Sequence, residues 1–171
     1  MQERSGIITM RGKPLTLLGA EAKTGAAAPD FEALANDLSP VKLSSFKGRV
    51  CVISSVPSLD TPVCDLETRR FNEEAGKLGP NIAFLTISMD LPFAQKRWCG
   101  AAGATNLQTL SDHRQASFGS AYGMLIKELR LLARAVFIVD KAGILRYSQL
   151  VKEVSQEPNY EEVLQALKQI D

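Results

Sequence analysis

Among its 171 residues the sequence has a single histidine, a single tryptophan and only three cysteines. It contains no Cys-x-x-Cys pair, no apolar run long enough to span a bilayer and no excess of either charge. Each shortage removes a class of function. No spacing between a cysteine and His113 suits zinc, and His113, in Ser111-Asp-His-Arg114, reads most simply as a surface residue. The dithiol of a thiol–disulfide oxidoreductase is missing, since Cys64 is followed by Asp65-Leu-Glu67 with no partner. Twenty basic residues against nineteen acidic ones, scattered rather than clustered, give no electrostatic footprint for nucleic acid or a membrane surface. The start, MQERSGIITMRG, carries Glu3 and Arg4 and lacks the apolar stretch of a secretory leader, so the expected compartment is the cytoplasm. Thiols stay reduced there, and three cysteines do not read as a disulfide framework. Their reactivity is then the better question.

What is present fits one soluble globular domain over residues 1–171, with 45% hydrophobic and 23% charged residues. Three near-continuous β-rich runs, Val50–Val56, Ile82–Met89 and Ala133–Val139, have the pattern of strands covered on both faces. Between the first two, Cys64, Thr68, Phe71, Ala75 and Leu78 recur at helical spacing, so a helix is predicted to begin at Cys64 with that stripe buried. Leu91–Cys99 reads as a second helix, capped by Asp90, with Pro92 in its first turn and Gly100 and Gly103 as its stop. A strand near Leu107–Leu110, a helix near Gln115–Tyr122, a hairpin turning at Asp140–Gly143 into Ile144–Val151 and a helix over Tyr160–Ile170 follow. Ahead of the core lie a hairpin over about residues 7–18 and short extended pieces near Phe31–Leu34 and Val41–Leu43. The βαβ order followed by a hairpin and a helix predicts an α/β, thioredoxin-like three-layer sandwich: a mixed central sheet, helices on both faces, and an N-terminal β-hairpin.

Cys64 sits where chemistry is favoured. Only a thiolate is a strong sulfur nucleophile, and a free cysteine near pKa 8.5 is mostly protonated at neutral pH. A helix start favours the anion through unpaired N–H groups and aligned peptide dipoles. Pro57 and Pro62 stiffen the approach and limit solvent access, and the Thr61 hydroxyl can both donate and accept. Asp65 and Glu67 work against a thiolate by like-charge repulsion, so a nearby cation is required. Arg134 is the candidate, because a guanidinium in the middle of a buried apolar strand is costly unless it meets an anion. A structural ion pair with a carboxylate is the alternative role for it.

The other two cysteines divide by position. Cys51 lies early in its strand, far from the carboxyl end where α/β sheets place their sites, and reads as a small buried core residue. Cys99 ends a predicted helix beside two glycines, where fraying is cheap and a sulfur can move.

Pro57-Ser-Leu-Asp-Thr61-Pro-Val-Cys64 resembles the peroxiredoxin signature of proline, threonine and peroxidatic cysteine at matching spacing. Ser88 through Gly100, Leu132 through Asp140, and Ser148 through Tyr160 look like the bacterial thiol peroxidase branch, the atypical two-cysteine peroxiredoxins. The likeness covers nearly the whole chain. It implies reduction of hydrogen peroxide and alkyl hydroperoxides without metal, haem or flavin, by a protein that is usually a homodimer. It implies Thr61, Cys64 and Arg134 as the catalytic trio, Pro57 in the substrate pocket, and Cys99 as the resolving cysteine of an intramolecular disulfide that thioredoxin reduces. Both helix ends are expected to unwind for that disulfide, whose Cα atoms must come within about 4.4–6.8 Å. One departure is visible: Met124–Arg130, ahead of the Leu-Ala-Arg segment, is short and has no glycine. A non-catalytic binding domain or a redox sensor is the competing class, separated from an enzyme by a peroxide-consumption assay.

Overall fold

The computed structural model describes residues 1–170. Ten strands run in chain order: β1 (Glu3–Met10), β2 (Lys13–Leu18), β3 (Glu32–Leu34), β4 (Pro40–Lys42), β5 (Val50–Ser55), β6 (Ile82–Ser88), β7 (Gln108–Ser111), β8 (Leu125–Ile126), β9 (Ala135–Val139) and β10 (Leu145–Leu150). The helices are α1 (Pro62–Leu78), α2 (Pro92–Ala102), α3 (Ser117–Tyr122) and α4 (Tyr160–Lys168). Seven strands form one mixed sheet in the order β10-β9-β5-β6-β7-β3-β4, with β5, β6 and β7 parallel and β9 antiparallel to β5. The β1-β2 hairpin and β8 make a separate three-stranded sheet.

The two-residue period of β5 explains the layers. Val50 and Val52 face Phe71 and Ala75 of α1 and Val163 and Leu167 of α4. Cys51 and Ile53 face the other way, onto Phe118 and Tyr122 of α3 and onto Ile8, Leu15 and Leu17 of the hairpin. The result is the expected thioredoxin-like α/β sandwich, with the α1 start following directly on the carboxyl end of the interior strand β5.

Several local expectations give way to better-satisfied arrangements. Arg134 precedes β9 instead of interrupting it: the Ala133 N–H donates to Met124 O, Ser55 Oγ donates to Ala133 O, and sheet pairing starts at Ala135. Helix α2 passes through Cys99 and Gly100 and stops at Gly103, which takes the left-handed conformation at φ 63° and closes on Cys99 O. Asp90 does not cap α2; its carboxylate accepts from Ser58 Oγ, Leu59 N–H and Ser88 Oγ, pinning the loop after β5 to the end of β6. On α1, Leu78 at the end of the helix is exposed, and Glu67 near its start joins the buried stripe. The glycine-free segment after β8 turns through Arg130, which itself adopts φ 54°, and Glu128 accepts from the Thr16 N–H on β2.

Asp112 holds the start of α3. Its buried carboxylate accepts the Phe118 and Gly119 N–H groups at 3.0 and 2.8 Å. Burial pushes this carboxyl up from its ordinary 3.8 to about 6, against the pull of those N–H donors. The folded state therefore keeps the proton longer than the unfolded chain, and this group's stabilising contribution is complete below 3.8 and lost as pH rises through about 6. Asp112→Asn is expected to flatten that part of the stability-against-pH curve in chemical denaturation. Asp112→Ala strands both donors and is expected to cost about 1–3 kcal/mol.

Candidate active site

Helix α1 opens with Thr61 as its extended N-cap residue and Pro62 as its first helical residue, where proline loses no hydrogen bond. Cys64 follows in the first turn, at the end of a 17-residue helix that carries the unpaired N–H groups and the positive end of the dipole. The side chain is fully buried in a small apolar cluster with Val56, Leu59, Trp98 and Ala104. No neighbour in that cluster carries charge, and the charge beside the sulfur comes from elsewhere.

It comes from Arg134. The Nη2 group donates to Cys64 Sγ at 3.3 Å, Nη1 to Glu67 Oε2 at 2.5 Å and Nε to Val154 O at 3.0 Å. The guanidinium is 2% exposed and Glu67 is 0% exposed, so the pair is desolvated on both sides. Ser54 Oγ on β5 donates to the other Glu67 oxygen at 2.8 Å. Burial pushes the Glu67 carboxyl up to about 7, while Arg134 and Ser54 hold it down. For Arg134, burial works against the charge and is outweighed by Glu67 and Cys64, which together raise its pKa. The two roles weighed for this arginine are both occupied: it pairs with a carboxylate and touches the sulfur. Glu67, which the spacing alone cast as an opponent of the thiolate, is the group that holds its cation in place.

Thr61 and Pro57 border the same site. Thr61 Oγ1 donates to Ser58 O at 2.7 Å, which commits its proton and turns the oxygen's lone pairs to acceptance. Pro57, Thr61 and Arg134 line a cleft of about 560 Å³ whose other walls include Met10 and Leu15 of the hairpin, Leu129, Leu131 and Val154. The cleft surface is largely apolar, with Arg134 as the charged group nearest the sulfur.

Cys99 packs against the edge of the Cys64 cluster and makes none of the polar contacts above. Its half-buried sulfur is 3.4 Å from Thr109 Oγ1 on β7, and Thr109 donates on to Asn36. It borders a different hollow of about 410 Å³, lined by Asn36, Asp37 and Thr109 among others. Cys51 is buried in the core beneath the sheet, and burial pushes its thiol up to about 11. All three cysteines are free thiols. Among the described residues no cluster of histidine, cysteine and carboxylates could hold a metal ion.

Ser54 has no signal in the sequence pattern, and Glu67 and Asp90 have roles other than the thiolate's opponent and the α2 cap that the pattern assigns them. For Glu67 the available signal was a carboxylate three residues after Cys64 and one before Thr68, on the apolar stripe of the helix and not on its solvent face.

Comparison with known proteins places the chain in a family. Residues 23–164 match the family model described as redoxin. The chain is 59% identical over 160 residues to the thiol peroxidase of Oceanobacillus iheyensis, covering 94% of this chain and 97% of that one. It is 55% identical over 161 residues to the thiol peroxidase of Bacillus subtilis, with 94% and 96% covered. A solved peroxiredoxin-like protein from Aquifex aeolicus superposes with a TM-score of 0.90 at 43% identity, over 97% of this chain and 96% of that one. A thiol peroxidase from Chromobacterium violaceum shares the fold at a TM-score of 0.84 and 20% identity, with 95% of each chain covered. With a matched model and relatives that both run through the cysteine-bearing helix start, the chain belongs to the redoxin family, in its thiol peroxidase branch.

Proposed function

We propose that this thiol-dependent peroxidase works through Cys64 as nucleophile and Cys99 as resolving thiol. The observation that carries the reading is the Arg134 guanidinium, which bonds to Cys64 Sγ at 3.3 Å while lining the cleft through which a peroxide would arrive. The Cys64 thiolate attacks one peroxide oxygen and the O–O bond breaks. Arg134 and the α1 N–H groups stabilise charge on the departing oxygen, and the Thr61 oxygen accepts from the peroxide O–H. The departing oxygen leaves as water or an alcohol once protonated, and Cys64 remains as a sulfenic acid. Cys99 condenses with it, releasing water and closing an intramolecular disulfide. Thioredoxin then returns both thiols.

The apolar cleft walls fit the organic part of an alkyl hydroperoxide, and hydrogen peroxide needs only the polar end. Replacing Leu129, which lines the cleft and is 38% exposed, with Ala is expected to lower kcat/KM for cumene hydroperoxide by up to roughly tenfold, the scale of one lost apolar side-chain contact, while leaving hydrogen peroxide turnover within about twofold. Equal losses on both substrates would remove the cleft from the reading.

We further read residues 1–171 as one domain acting as a homodimer in the cytoplasm, where reducing conditions keep the thiols competent. Among the described residues no helix is long and apolar enough to cross a membrane. The direct test of the reading is NADPH consumption in the presence of thioredoxin, thioredoxin reductase and peroxide. Steady turnover is expected; a protein that is oxidised once and does not cycle would instead be a sensor.

A further inference from the structure

Cys64 and Cys99 each have an immediate neighbour that meets the other's. Trp98, just before Cys99, donates its indole N–H to Oδ1 of Asp65, just after Cys64, at 2.8 Å. Arg69, one turn along α1, donates to both Asp65 oxygens at 3.1 and 3.0 Å, and its guanidinium lies 5.7 Å from the Trp98 ring centroid. The indole is 7% exposed and packs in the cluster that buries Cys64. Successive helical residues project about 100° apart, so on α2 the Trp98 ring fills the Cys64 cluster while Cys99 packs only against its edge. The Cys99 sulfur itself sits against Thr109.

We propose that Trp98 and Asp65 form a latch that sets how fast oxidised Cys64 is resolved, and so divides it between recycling and over-oxidation. The inference rests on Cys64 and Cys99 being the peroxidatic and resolving thiols. Condensation of the Cys64 sulfenic acid with the Cys99 thiol requires the α2 turn to rotate or unwind, which withdraws Trp98 from the cluster and breaks its bond to Asp65. While the latch is closed, the sulfenate is exposed to a second peroxide, which transfers one oxygen to give the sulfinate and leaves as water or alcohol. Trp98 and Asp65 are positioning residues in this scheme, since neither touches the reacting oxygen.

The test is the rate of disulfide formation after one equivalent of peroxide, followed by acid quench and mass spectrometry. Trp98→Phe keeps an aromatic ring in the cluster and removes the donor; Asp65→Ala removes the acceptor. Each is expected to speed disulfide formation by about tenfold, the scale of one hydrogen bond to a charged, partly exposed partner. The peroxide concentration giving half-maximal sulfinate should rise by about the same factor, and in Trp98→Phe, which leaves the charge beside Cys64 in place, the first oxidation should stay within about twofold of the parent. The double variant should be no faster than either single one, because both break the same bond. Tryptophan emission of the parent should shift to the red as the disulfide closes. Unchanged disulfide rates in both single variants, or gains that multiply in the double one, would overturn the latch. A parent protein that makes no Cys64–Cys99 disulfide at all would overturn the reading of the cysteines beneath it.

Discussion

Replacing Cys64 with Ser is expected to bring peroxide turnover below detection while the protein remains folded. A serine hydroxyl lacks the ionisation and nucleophilicity of a thiolate, and no other thiol is placed to substitute: Cys51 is locked beneath the sheet and Cys99 faces Thr109. Packing should be nearly retained, because the substituted atom is small and Arg134 keeps its Glu67 partner at 2.5 Å. Circular dichroism and the thermal midpoint should therefore follow the parent. Measurable turnover in a folded Cys64→Ser protein would move the nucleophile elsewhere.

The second large effect is expected at Arg134, where the two roles of the guanidinium can be separated. Arg134→Met retains side-chain length and removes the charge. It leaves Glu67 buried without its cation, and losing one member of a buried pair typically costs about 3–5 kcal/mol. The peroxide step should slow by about 10²–10³-fold, the scale of a missing oxyanion donor. Adding Glu67→Gln to Arg134→Met removes the uncompensated carboxylate, so much of the stability should return while the peroxide step stays slow. If activity returned together with stability, Arg134 would be a structural ion pair and nothing more.

Glu67 itself is a further handle on the same network. Glu67→Gln leaves the buried Arg134 guanidinium without its anion and is expected to cost about 3–5 kcal/mol in chemical denaturation, much of which Arg134→Met in the same chain should restore.

Cys64 and Arg134 are legible in the sequence because each is chemically out of place: a cysteine after a proline-rich approach to a helix, and an arginine among buried aliphatics. The central strands are legible for the opposite reason, since β5, β6 and β9 are apolar runs with little else they could form. Glu67 is not legible in that way. A carboxylate in the first turns of a helix ordinarily faces water and favours the dipole, and its burial is decided by an arginine 67 residues away. Asp90 misleads for a similar reason: the local pattern offers it as a cap for α2, and tertiary contacts with Ser58 and Leu59 claim it instead. The end of α2 is likewise a tertiary outcome. Gly100 can break a helix, yet Trp98 packs against the Cys64 cluster and carries α2 on to Gly103.

The most direct test of the two-cysteine account is disulfide mapping of peroxide-treated protein by mass spectrometry of proteolytic peptides under non-reducing conditions. One equivalent of hydrogen peroxide per chain should yield a peptide pair joined through Cys64 and Cys99 within one chain, with Cys51 recovered as a free thiol. A Cys51–Cys64 link, a link only between chains, or free Cys64 after peroxide has been consumed would contradict it.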